Sequence, residues 1–265
     1  MTLLRSAVLA DTEWQMHYGE RLALEGLLST LKPRLSIEIG RAEGGSLRRI
    51  AAHSEKVHTF DLVAESESLR DELANVTFHT GDSTVQVPET LAEIAASGGH
   101  IDFALVDGDH SAEGVARDAR ALLDSDACRT TTIVFHDAAN DDVRAGLESL
   151  ELEKHPKAGL VMLDFVPGFL VEKGPYAMHI WNGLGVMVLA EGRTEPPVTE
   201  AYRFDAAALQ RKVRDAMKAE NEPALPEPAP TESNGGSSRT AVAVGAAAAA
   251  GGALAGWLGG RIARR

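Results

Sequence analysis

The chain has 265 residues and a formal net charge of −13, from 39 acidic and 26 basic side chains. This excess of negative charge argues against a nucleic-acid partner, because binding to a phosphate backbone requires a basic surface. The hydrophobic content of 44% and the charged content of 25% are typical of a globular protein, and the length allows one sizeable domain with accessory segments.

Residues 1–33 are predicted to form N-terminal helices. Five leucines between positions 22 and 31 give one apolar helical face, which ends before Pro33. Trp14, His17 and Tyr18 lie just upstream and have two interpretations: they line the mouth of a cleft, or they pack a helix onto the domain. Packing is the preferred interpretation, because large aromatic side chains are buried more often than not.

Short apolar strands alternate with helices between residues 34 and 151. Alternation of this kind builds a parallel sheet with helices on both faces. The predicted strands are 35–39, 57–60, 76–79, 101–106 and 131–135. The predicted helices are 46–53, 65–73, 88–96, 112–123 and 141–151.

A glycine-rich turn follows the first predicted strand. Glu38 and Gly40 end that strand, and Gly44 and Gly45 let the backbone turn tightly and approach a ligand, because glycine has no Cβ. Asp61 ends the second strand at about the spacing, roughly 20 residues, at which an acid binds the hydroxyls of a ribose. The full G-x-G-x-x-G fingerprint is missing, which favours an adenosine-containing cofactor smaller than a dinucleotide.

Acidic side chains end all five of these strands. The carboxyl ends of parallel strands lie at one edge of a sheet, where ligands bind, so this repetition predicts a site rather than five separate helix caps. The strand-end residues are Glu38, Asp61, Asp82 with Ser83, Asp107 with Asp109 and His110, and His136 with Asp137.

Asp107 and Asp137 are the acids that best fit a catalytic or metal-binding role. Each directly ends a central strand, whereas Asp109 is better explained as a cap of the next helix. Neighbouring carboxylates raise one another's pKa unless a cation or a hydrogen-bond donor compensates. A hard divalent ion such as Mg²⁺ prefers oxygen ligands, so the pattern predicts a divalent metal near these two acids.

Two strongly apolar segments, 159–166 and 183–190, follow without a helix between them. They predict an antiparallel pair of strands that closes one edge of the sheet. Residues 200–219 then form the last predicted helix, polar enough to lie on the surface.

The C-terminal part changes in composition. Residues 221–239 are rich in proline, glycine and serine and predict a disordered linker, because they lack the apolar content to fold. Residues 240–260 carry no charge and are long enough to span a bilayer. Because alanine and glycine dominate there, insertion is marginal, but a C-terminal transmembrane segment is favoured over a soluble tail.

Taken together, the motifs resemble a class I S-adenosylmethionine-dependent methyltransferase. They are most similar to the small-molecule branch that includes sugar and macrolide O-methyltransferases and cephalosporin-hydroxylase-like proteins. The resemblance covers about residues 34–190 and implies a methyltransferase domain at 34–220, a Rossmann-like three-layer α/β/α sandwich with a mainly parallel seven-stranded sheet. The motifs that carry it are Glu38-x-Gly40-x-x-x-Gly44, Asp61, Gly81-Asp82-Ser83, Val106-Asp107-Gly108-Asp109-His110-Ser111 and Phe135-His136-Asp137.

The resemblance also implies a role for each motif residue. Glu38, Gly40 and Gly44 would hold the methionine part of the cofactor, Asp61 the ribose, and Asp82 with Ser83 the adenine. Asp107 and Asp137 would be metal ligands, with Asp107 and His110 as the catalytic pair and His110 as general base. His136 would be a further metal ligand, but metal-dependent sugar enzymes tend to have an acid there. Histidine is a softer ligand for Mg²⁺, so the identity of the divalent cation stays open.

The expected function is O-methylation of a hydroxylated small molecule: a sugar, a glycolipid or a secondary metabolite. Two alternatives stay open: an NAD-dependent oxidoreductase on a similar sheet, and a non-catalytic, membrane-anchored binding protein. The expected partners are the small-molecule acceptor, no nucleic acid, and a membrane reached through 240–260, with a homo-oligomer left open. One cysteine, Cys128, excludes a disulfide framework and fits a cytoplasmic catalytic domain.

Overall fold

One mostly parallel sheet organises the computed structural model, which describes residues 14–199 and 206–221. The strands are β1 (Leu35–Ile39), β2 (Lys56–Asp61), β3 (Val76–Thr80), β4 (Phe103–Val106), β5 (Thr132–Phe135), β6 (Ala158–Val166), β7 (Phe169–Leu170), β8 (Ile180–Trp181), β9 (Leu184–Leu189) and β10 (Val198–Thr199). The helices are α1 (Tyr18–Leu31), α2 (Gly45–His53), α3 (Glu67–Glu72), α4 (Ser83–Ala96), α5 (Ala112–Leu123), α6 (Asp141–Glu148) and α7 (Ala206–Asn221). Within the described residues the sheet has eight strands, in the order β10-β6-β9-β5-β4-β1-β2-β3, and β7 pairs with β8.

The strand order reverses between β1 and β4. β1 is parallel to both of its neighbours, and Glu38 lies between Thr59 of β2 and Leu105 of β4. From β1 the chain winds towards β3, and from β4 it winds towards β5 in the opposite direction. A reversal of this kind opens a crevice at the carboxyl ends of the strands, which is where such sheets bind ligands.

Apolar layers cover both faces of the sheet. One layer contains Leu24 and Leu28 of α1 with Leu47 and Ile50 of α2. The two residues of each helix are three or four positions apart, so they lie on one helical face. The other contains apolar side chains of α4, α5 and α6, among them Leu122. β4 and β5 are buried along their whole length, because helices pack on both sides. The predicted α/β/α sandwich is confirmed.

The predicted antiparallel pair at the sheet edge is also confirmed. β9 runs antiparallel to β5, with Val186 opposite Val134, and to β6, with Met187 opposite Val161. β10 adds an eighth strand outside β6, beyond the seven strands expected. It consists of two exposed residues, so its pairing depends on the position of β6 and not on an apolar pattern of its own.

Helix α4 begins at Ser83 and not at the predicted position 88. Asp82 is its N-cap and accepts a hydrogen bond from the Thr84 N–H at 2.9 Å. Pro88, at which the sequence pattern starts the helix, lies inside it. The cap therefore sets the helix start, and it places Asp82 and Ser83 at the helix N-terminus beside the end of β3.

Several predictions about the chain ends fall outside the described residues. They concern positions 1–13 of the N-terminal helices, the linker at 221–239 apart from Asn221, and the membrane segment at 240–260. In the described ranges, 14–199 and 206–221, no helix combines the length and the apolar character needed to cross a bilayer.

Candidate active site

A glycine brings the ends of β1 and β4 into contact. Gly40 has φ +84°, and a Cβ at this position would lie 2.1 Å from the carbonyl oxygen of Asp107. The Gly40 N–H donates to the Phe60 carbonyl at 2.8 Å, and the Asp107 N–H donates to the Ile39 carbonyl at 2.8 Å. Glycine fits this turn because it has no Cβ and because it adopts a positive φ without strain.

The N-terminal segment covers the start of α2. Gly44, with φ +81°, is the N-cap of that helix, and a Cβ on Gly45 would lie 2.4 Å from the Trp14 Cα. Trp14 is 3% exposed, and the Arg21 guanidinium donates hydrogen bonds to the carbonyl oxygens of Trp14 and Met16. For Trp14 the packing interpretation is therefore confirmed.

The carboxyl group of Glu38 is enclosed by the protein. It is 0% exposed, with Oε1 accepting a hydrogen bond from Ser46 Oγ at 2.6 Å and Oε2 accepting one from Thr59 Oγ1 at 2.9 Å. Burial raises the pKa of Glu38 to about 8, although both hydroxyl hydrogen bonds act to lower it. In this structure the residue joins β1 to β2 and to the first turn of α2.

Asp61 is bound by the glycine-rich turn itself. Its Oδ2 accepts hydrogen bonds from the N–H groups of Arg41 at 3.0 Å and Ala42 at 3.1 Å. Its Oδ1 accepts one from the Val63 N–H at 2.8 Å. A ribose hydroxyl that binds this carboxylate therefore has to share it with the turn.

The Arg41 side chain fills the space beyond the ends of β2 and β3. Its guanidinium donates to the carbonyl oxygens of Val63 and, at 3.3 Å, of His79, and it pairs with Glu65 at 3.1 Å. The side chains of Arg41 and Glu65 are each 1% exposed. Sequence reasoning missed this ion pair, since a single arginine in a glycine turn carries no signal about where its side chain packs.

Asp82 and Ser83 lie at the N-terminus of α4, as already described, and differ in exposure. Asp82 is exposed, while Ser83 is half-buried and donates from Oγ to Asp118 Oδ1 at 3.2 Å. Asp118, on α5, is 3% exposed, and burial raises its pKa to about 6. The pair predicted for the adenine end of a cofactor is thus linked to a buried acid of the next helix.

The ends of β4 and β5 bring four predicted residues together. His136 Nδ1 donates to Asp107 Oδ1 at 2.8 Å and lies 3.2 Å from Asp137 Oδ2. His110 Nε2 lies 2.9 Å from Asp137 Oδ2 and 3.5 Å from Asp107 Oδ1. We call Asp107, His110, His136 and Asp137 the strand-end cluster.

Opposite charges hold the cluster together. Burial alone would lower the pKa of His110, but hydrogen bonds and charge from Asp107 and Asp137 outweigh it and raise that pKa to about 9. The same two acids raise the pKa of His136 well above its ordinary value, again against the effect of burial. Burial acts to raise the pKa values of Asp107 and Asp137, but the two histidines hold both below the ordinary value.

Glu20 of α1 lies behind the cluster, and sequence reasoning missed it. Its Oε1 lies 3.4 Å from His136 Nε2 and accepts a hydrogen bond from the Gly183 N–H at 2.7 Å. Its Oε2 accepts hydrogen bonds from the His17 N–H at 2.7 Å and the Asn182 amide at 2.9 Å. The local signal is a capping box between His17 and Glu20, which predicts a helix start but not a contact across the fold.

Aromatic side chains flank the cluster on the side of the β7–β8 pair. The rings of His110 and Trp181 meet edge to face with 5.8 Å between their centroids, and the Tyr176 ring lies 5.6 Å from Trp181. Tyr176 is 48% exposed, so these rings lead from the cluster to the surface. Residues 167–182, one of the segments between predicted strands, thus supply a wall beside the strand ends.

The cluster has the composition of a divalent metal site. One ligand atom from each of its four residues can be chosen so that all lie within 4.8 Å of one another. Two carboxylates and two imidazoles suit Mn²⁺, Fe²⁺, Co²⁺, Ni²⁺ or Zn²⁺, whereas Mg²⁺ prefers an all-oxygen shell. The residues therefore fit a metal ion, with Asp107, His136 and Asp137 as the predicted ligands.

A family model matches the part of the chain that contains these strand ends. Residues 37–138 match the sequence model of the Methyltransf_24 family, described as a methyltransferase domain. That stretch begins within β1 and ends just after Asp137, so it includes the glycine turn and the whole cluster. No curated protein sequence matches the chain significantly.

Solved structures resemble the fold at low sequence identity. An O-methyltransferase of Klebsiella pneumoniae, provisionally assigned as such, is 17% identical with a TM-score of 0.50, over 66% of this chain and 82% of that one. An O-methyltransferase of Bacillus cereus in complex with S-adenosylhomocysteine is 19% identical with a TM-score of 0.46, over 68% and 84%. Cofactor-bound Rv0187 from MTB is 20% identical with a TM-score of 0.47, over 70% and 87%. The Klebsiella protein shares the fold.

Proposed function

We propose that this chain, as a class I S-adenosylmethionine-dependent methyltransferase, catalyses O-methylation. The methyl group of the cofactor passes to a hydroxyl oxygen of a small molecule. The bond between the sulfonium sulfur and the methyl carbon breaks as the bond between the hydroxyl oxygen and that carbon forms, and the hydroxyl proton passes to a base of the protein. Because the methyl group is already activated, the protein has to align donor and acceptor and accept that proton.

The cofactor lies, in this proposal, across the crevice at the ends of β1 to β4. Gly40 and Gly44 give the backbone close approach to its methionine part, and Asp61 binds the ribose. Asp82 and Ser83 contact the adenine from the N-terminus of α4. Glu38 contributes by holding the turn through Ser46 and Thr59.

His110 receives the proton. The Nε2–H of the imidazole donates to the Asp137 carboxylate at 2.9 Å, so the neutral ring takes the proton at its other nitrogen, Nδ1, and Asp137 stabilises the imidazolium that forms. Because the two acids raise the pKa of His110 to about 9, the neutral form that acts as the base becomes more abundant as the pH rises. Asp107 and Asp137, with His136, would hold a divalent cation. When bound, such a cation supplies positive charge that lowers the pKa of a coordinated hydroxyl.

The acceptor packs its carbon skeleton against Trp181 and Tyr176. These rings lie beside His110 and reach the surface, so a sugar or a hydroxylated secondary metabolite fits the position better than a long polymer. A ring face on the acceptor would stack on an indole or a phenol, and its hydroxyl would point to the cluster.

One observation carries the proposal: the acids and histidines that end β4 and β5 converge on one point, next to the glycine turn at the end of β1. Gly40 touches the backbone of Asp107, which ties the two halves of the site together. A domain match without this convergence would leave the chemistry unassigned.

Cofactor binding is the first test. Isothermal titration of the full chain with S-adenosylhomocysteine and, separately, with NAD should give binding for the first ligand and none for the second. Binding of NAD alone would favour the oxidoreductase alternative and contradict the proposal.

Methyl transfer is the second test. The wild type is incubated with methyl-labelled S-adenosylmethionine, a divalent ion and a panel of hydroxylated sugars, phenols and macrolides. On an identified acceptor, His110→Ala and Asp107→Ala should each lower the rate by about 100-fold or more. His155→Ala, before the start of β6 at the opposite edge of the sheet, is the matched control. Full transfer by the first two variants would refute their roles, and binding without transfer to any acceptor would favour a non-catalytic protein.

A further inference from the structure

The two ring nitrogens of His136 face different acids. Nδ1 faces the strand-end cluster, at 2.8 Å from Asp107 and 3.2 Å from Asp137. Nε2 points away from the cluster and lies 3.4 Å from Glu20 Oε1, with no hydrogen bond of good geometry to the described residues. His136 is 8% exposed and Glu20 is 1% exposed, so protein groups surround the pair.

Glu20 is built into this position from several directions. Three hydrogen bonds from His17, Asn182 and Gly183 fix its carboxylate between α1 and the segment that joins β8 to β9. An ordinary capping box at a helix start needs only the His17 contact. Removing a carboxylate from water is costly unless donors or opposite charge surround it, and the imidazole of His136 is a neighbouring side chain that can bear positive charge.

We propose that Glu20 is a positioning residue for a divalent metal centre in the strand-end cluster, and that it makes this centre select a borderline ion such as Co²⁺, Ni²⁺ or Zn²⁺ over Mg²⁺. The inference rests on the metal-binding part of the proposed function. Glu20 does not touch the metal. It acts by holding His136.

The chemistry follows from the two nitrogens of one ring. When Glu20 accepts the Nε2–H of His136, Nδ1 carries the lone pair and becomes the metal ligand. A carboxylate behind a histidine ligand also makes the imidazole a stronger donor, and loss of such a partner typically weakens metal binding by about 10-fold to 100-fold. A strong nitrogen donor favours borderline ions, whereas Mg²⁺ gains little from it.

Helix α1 offers a matched control on the same element. Glu25 accepts a hydrogen bond from the side chain of another histidine, His53 Nε2, at 2.8 Å, and it pairs with Arg49 at 2.7 Å. Both of these partners lie on α2, and the Glu25 side chain is 24% exposed. Glu25→Gln therefore removes a carboxylate from a carboxylate–histidine pair in which His53 is not a cluster residue.

Metal affinity is the first readout. The full chain is treated with EDTA and titrated with Co²⁺ and with Mg²⁺ by calorimetry, with unfolding temperatures recorded for every variant. We expect the wild type to bind Co²⁺ at least about 10-fold more tightly than Mg²⁺. Glu20→Gln should weaken Co²⁺ binding by about 10-fold to 100-fold, and Glu25→Gln by less than about twofold. His136→Asp should narrow the preference for Co²⁺ over Mg²⁺.

Nitrogen NMR of the wild type is the second readout and does not depend on any variant folding. In the Zn²⁺ complex, long-range ¹H–¹⁵N spectra should show His136 with a metal-bound Nδ1 and a protonated Nε2. Metal on Nε2, or a His136 ring that no metal shifts, would overturn the inference.

Two further outcomes would contradict the proposed role of Glu20, and a parallel titration separates this inference from the proposed function. Equal affinity for Mg²⁺ and Co²⁺ in the wild type, or an unchanged Co²⁺ affinity in a folded Glu20→Gln variant, would contradict the role of Glu20. S-adenosylhomocysteine is titrated in parallel. If S-adenosylhomocysteine binds while no metal does, the inference about Glu20 fails and the methyltransferase proposal stands. If a metal binds while S-adenosylhomocysteine does not, the methyltransferase proposal fails and the inference about Glu20 stands.

Discussion

The two halves of the sheet edge treat their acids differently. At the ends of β4 and β5, Asp107 and Asp137 face the imidazoles of His110 and His136. At the ends of β1 and β2, Glu38 and Asp61 accept hydrogen bonds from hydroxyls and from backbone N–H groups of the protein itself. The first half holds its acids with imidazoles, which can exist with or without a second proton, and the second half holds them with hydroxyl and backbone N–H groups, which keep theirs.

The difference teaches that an acid at a strand end is fully open to a ligand only where its present partner can be exchanged, and that elsewhere the ligand has to share the acid with the protein. An imidazole can give up a proton and become a ligand or a base. A backbone N–H has no such second state, so a cofactor near Asp61 competes with the turn that Asp61 holds. We call the ends of β4 and β5, where we propose that the chemistry takes place, the reactive half. The ends of β1 and β2, where the acids hold the glycine-rich turn, are the fastened half.

The largest effect is expected from the reactive half. Asp137→Asn removes a charge that pairs with both histidines but keeps a side chain that tolerates the φ of +52° at this position. We expect methyl transfer to an identified acceptor to fall by about 1000-fold, because the proposed base, His110, and the proposed metal ion would lose their shared carboxylate. Labelled methyl transfer measures it, with Asp71→Asn on the exposed side of α3 as control, and a loss of less than about 10-fold would contradict the assignment.

The next effect comes from the contact between the two halves. Gly40→Ala places a Cβ against the Asp107 carbonyl at a positive φ, so we expect the free energy of unfolding to fall by roughly 4 kcal/mol. Gly98→Ala has φ +73° with no atom within 4 Å of its Cβ, and should lose only about 1 kcal/mol. Urea denaturation compares the two variants, and equal losses would show that the close approach to β4 contributes nothing.

A smaller effect is expected in the fastened half. Arg41→Met leaves the buried Glu65 with an exposed arginine, Arg70, and the Thr80 hydroxyl as partners, and breaking a buried pair in this way should lower the free energy of unfolding by about 3 kcal/mol. Arg34→Met breaks an exposed pair with Asp102 and should cost less than about 1 kcal/mol. Adding Glu65→Gln to Arg41→Met should recover part of the loss, and no recovery would argue against an incompletely compensated buried charge on Glu65 as its cause.

The smallest effect is a change in pH dependence. The pKa of Glu38 is raised to about 8 in the folded state, so the folded protein binds a proton that the unfolded chain has released. This contribution is fully present below the ordinary glutamate pKa and is lost as the pH rises towards 8. Between pH 6 and pH 8 the wild type should lose about 2 kcal/mol more stability than Glu38→Gln, measured by urea denaturation at both pH values. Parallel pH profiles would show that Glu38 stays ionised when buried.

Local sequence patterns predicted the framework of this comparison. The strand at 35–39 and the helix at 112–123 occur as Leu35–Ile39 and Ala112–Leu123, because apolar spacing and caps act over a few neighbouring residues. The gathering of acids at one edge also follows from the sequence, since parallel strands must present their carboxyl ends together. The reactive half was thus predictable as a set of residues.

Other parts of the site could not be predicted in this way. Glu20 reaches Gly183 across 163 positions, and Arg41 reaches His79 across 38. Neither contact has a spacing rule, because side-chain partners between distant segments depend on how the helices pack on the sheet and how each guanidinium or carboxylate finds donors there. The sequence by itself determined which acids stand at the strand ends, but the tertiary structure decided which of them already have partners, because a buried charge takes the nearest hydrogen-bond partner wherever in the chain that partner lies.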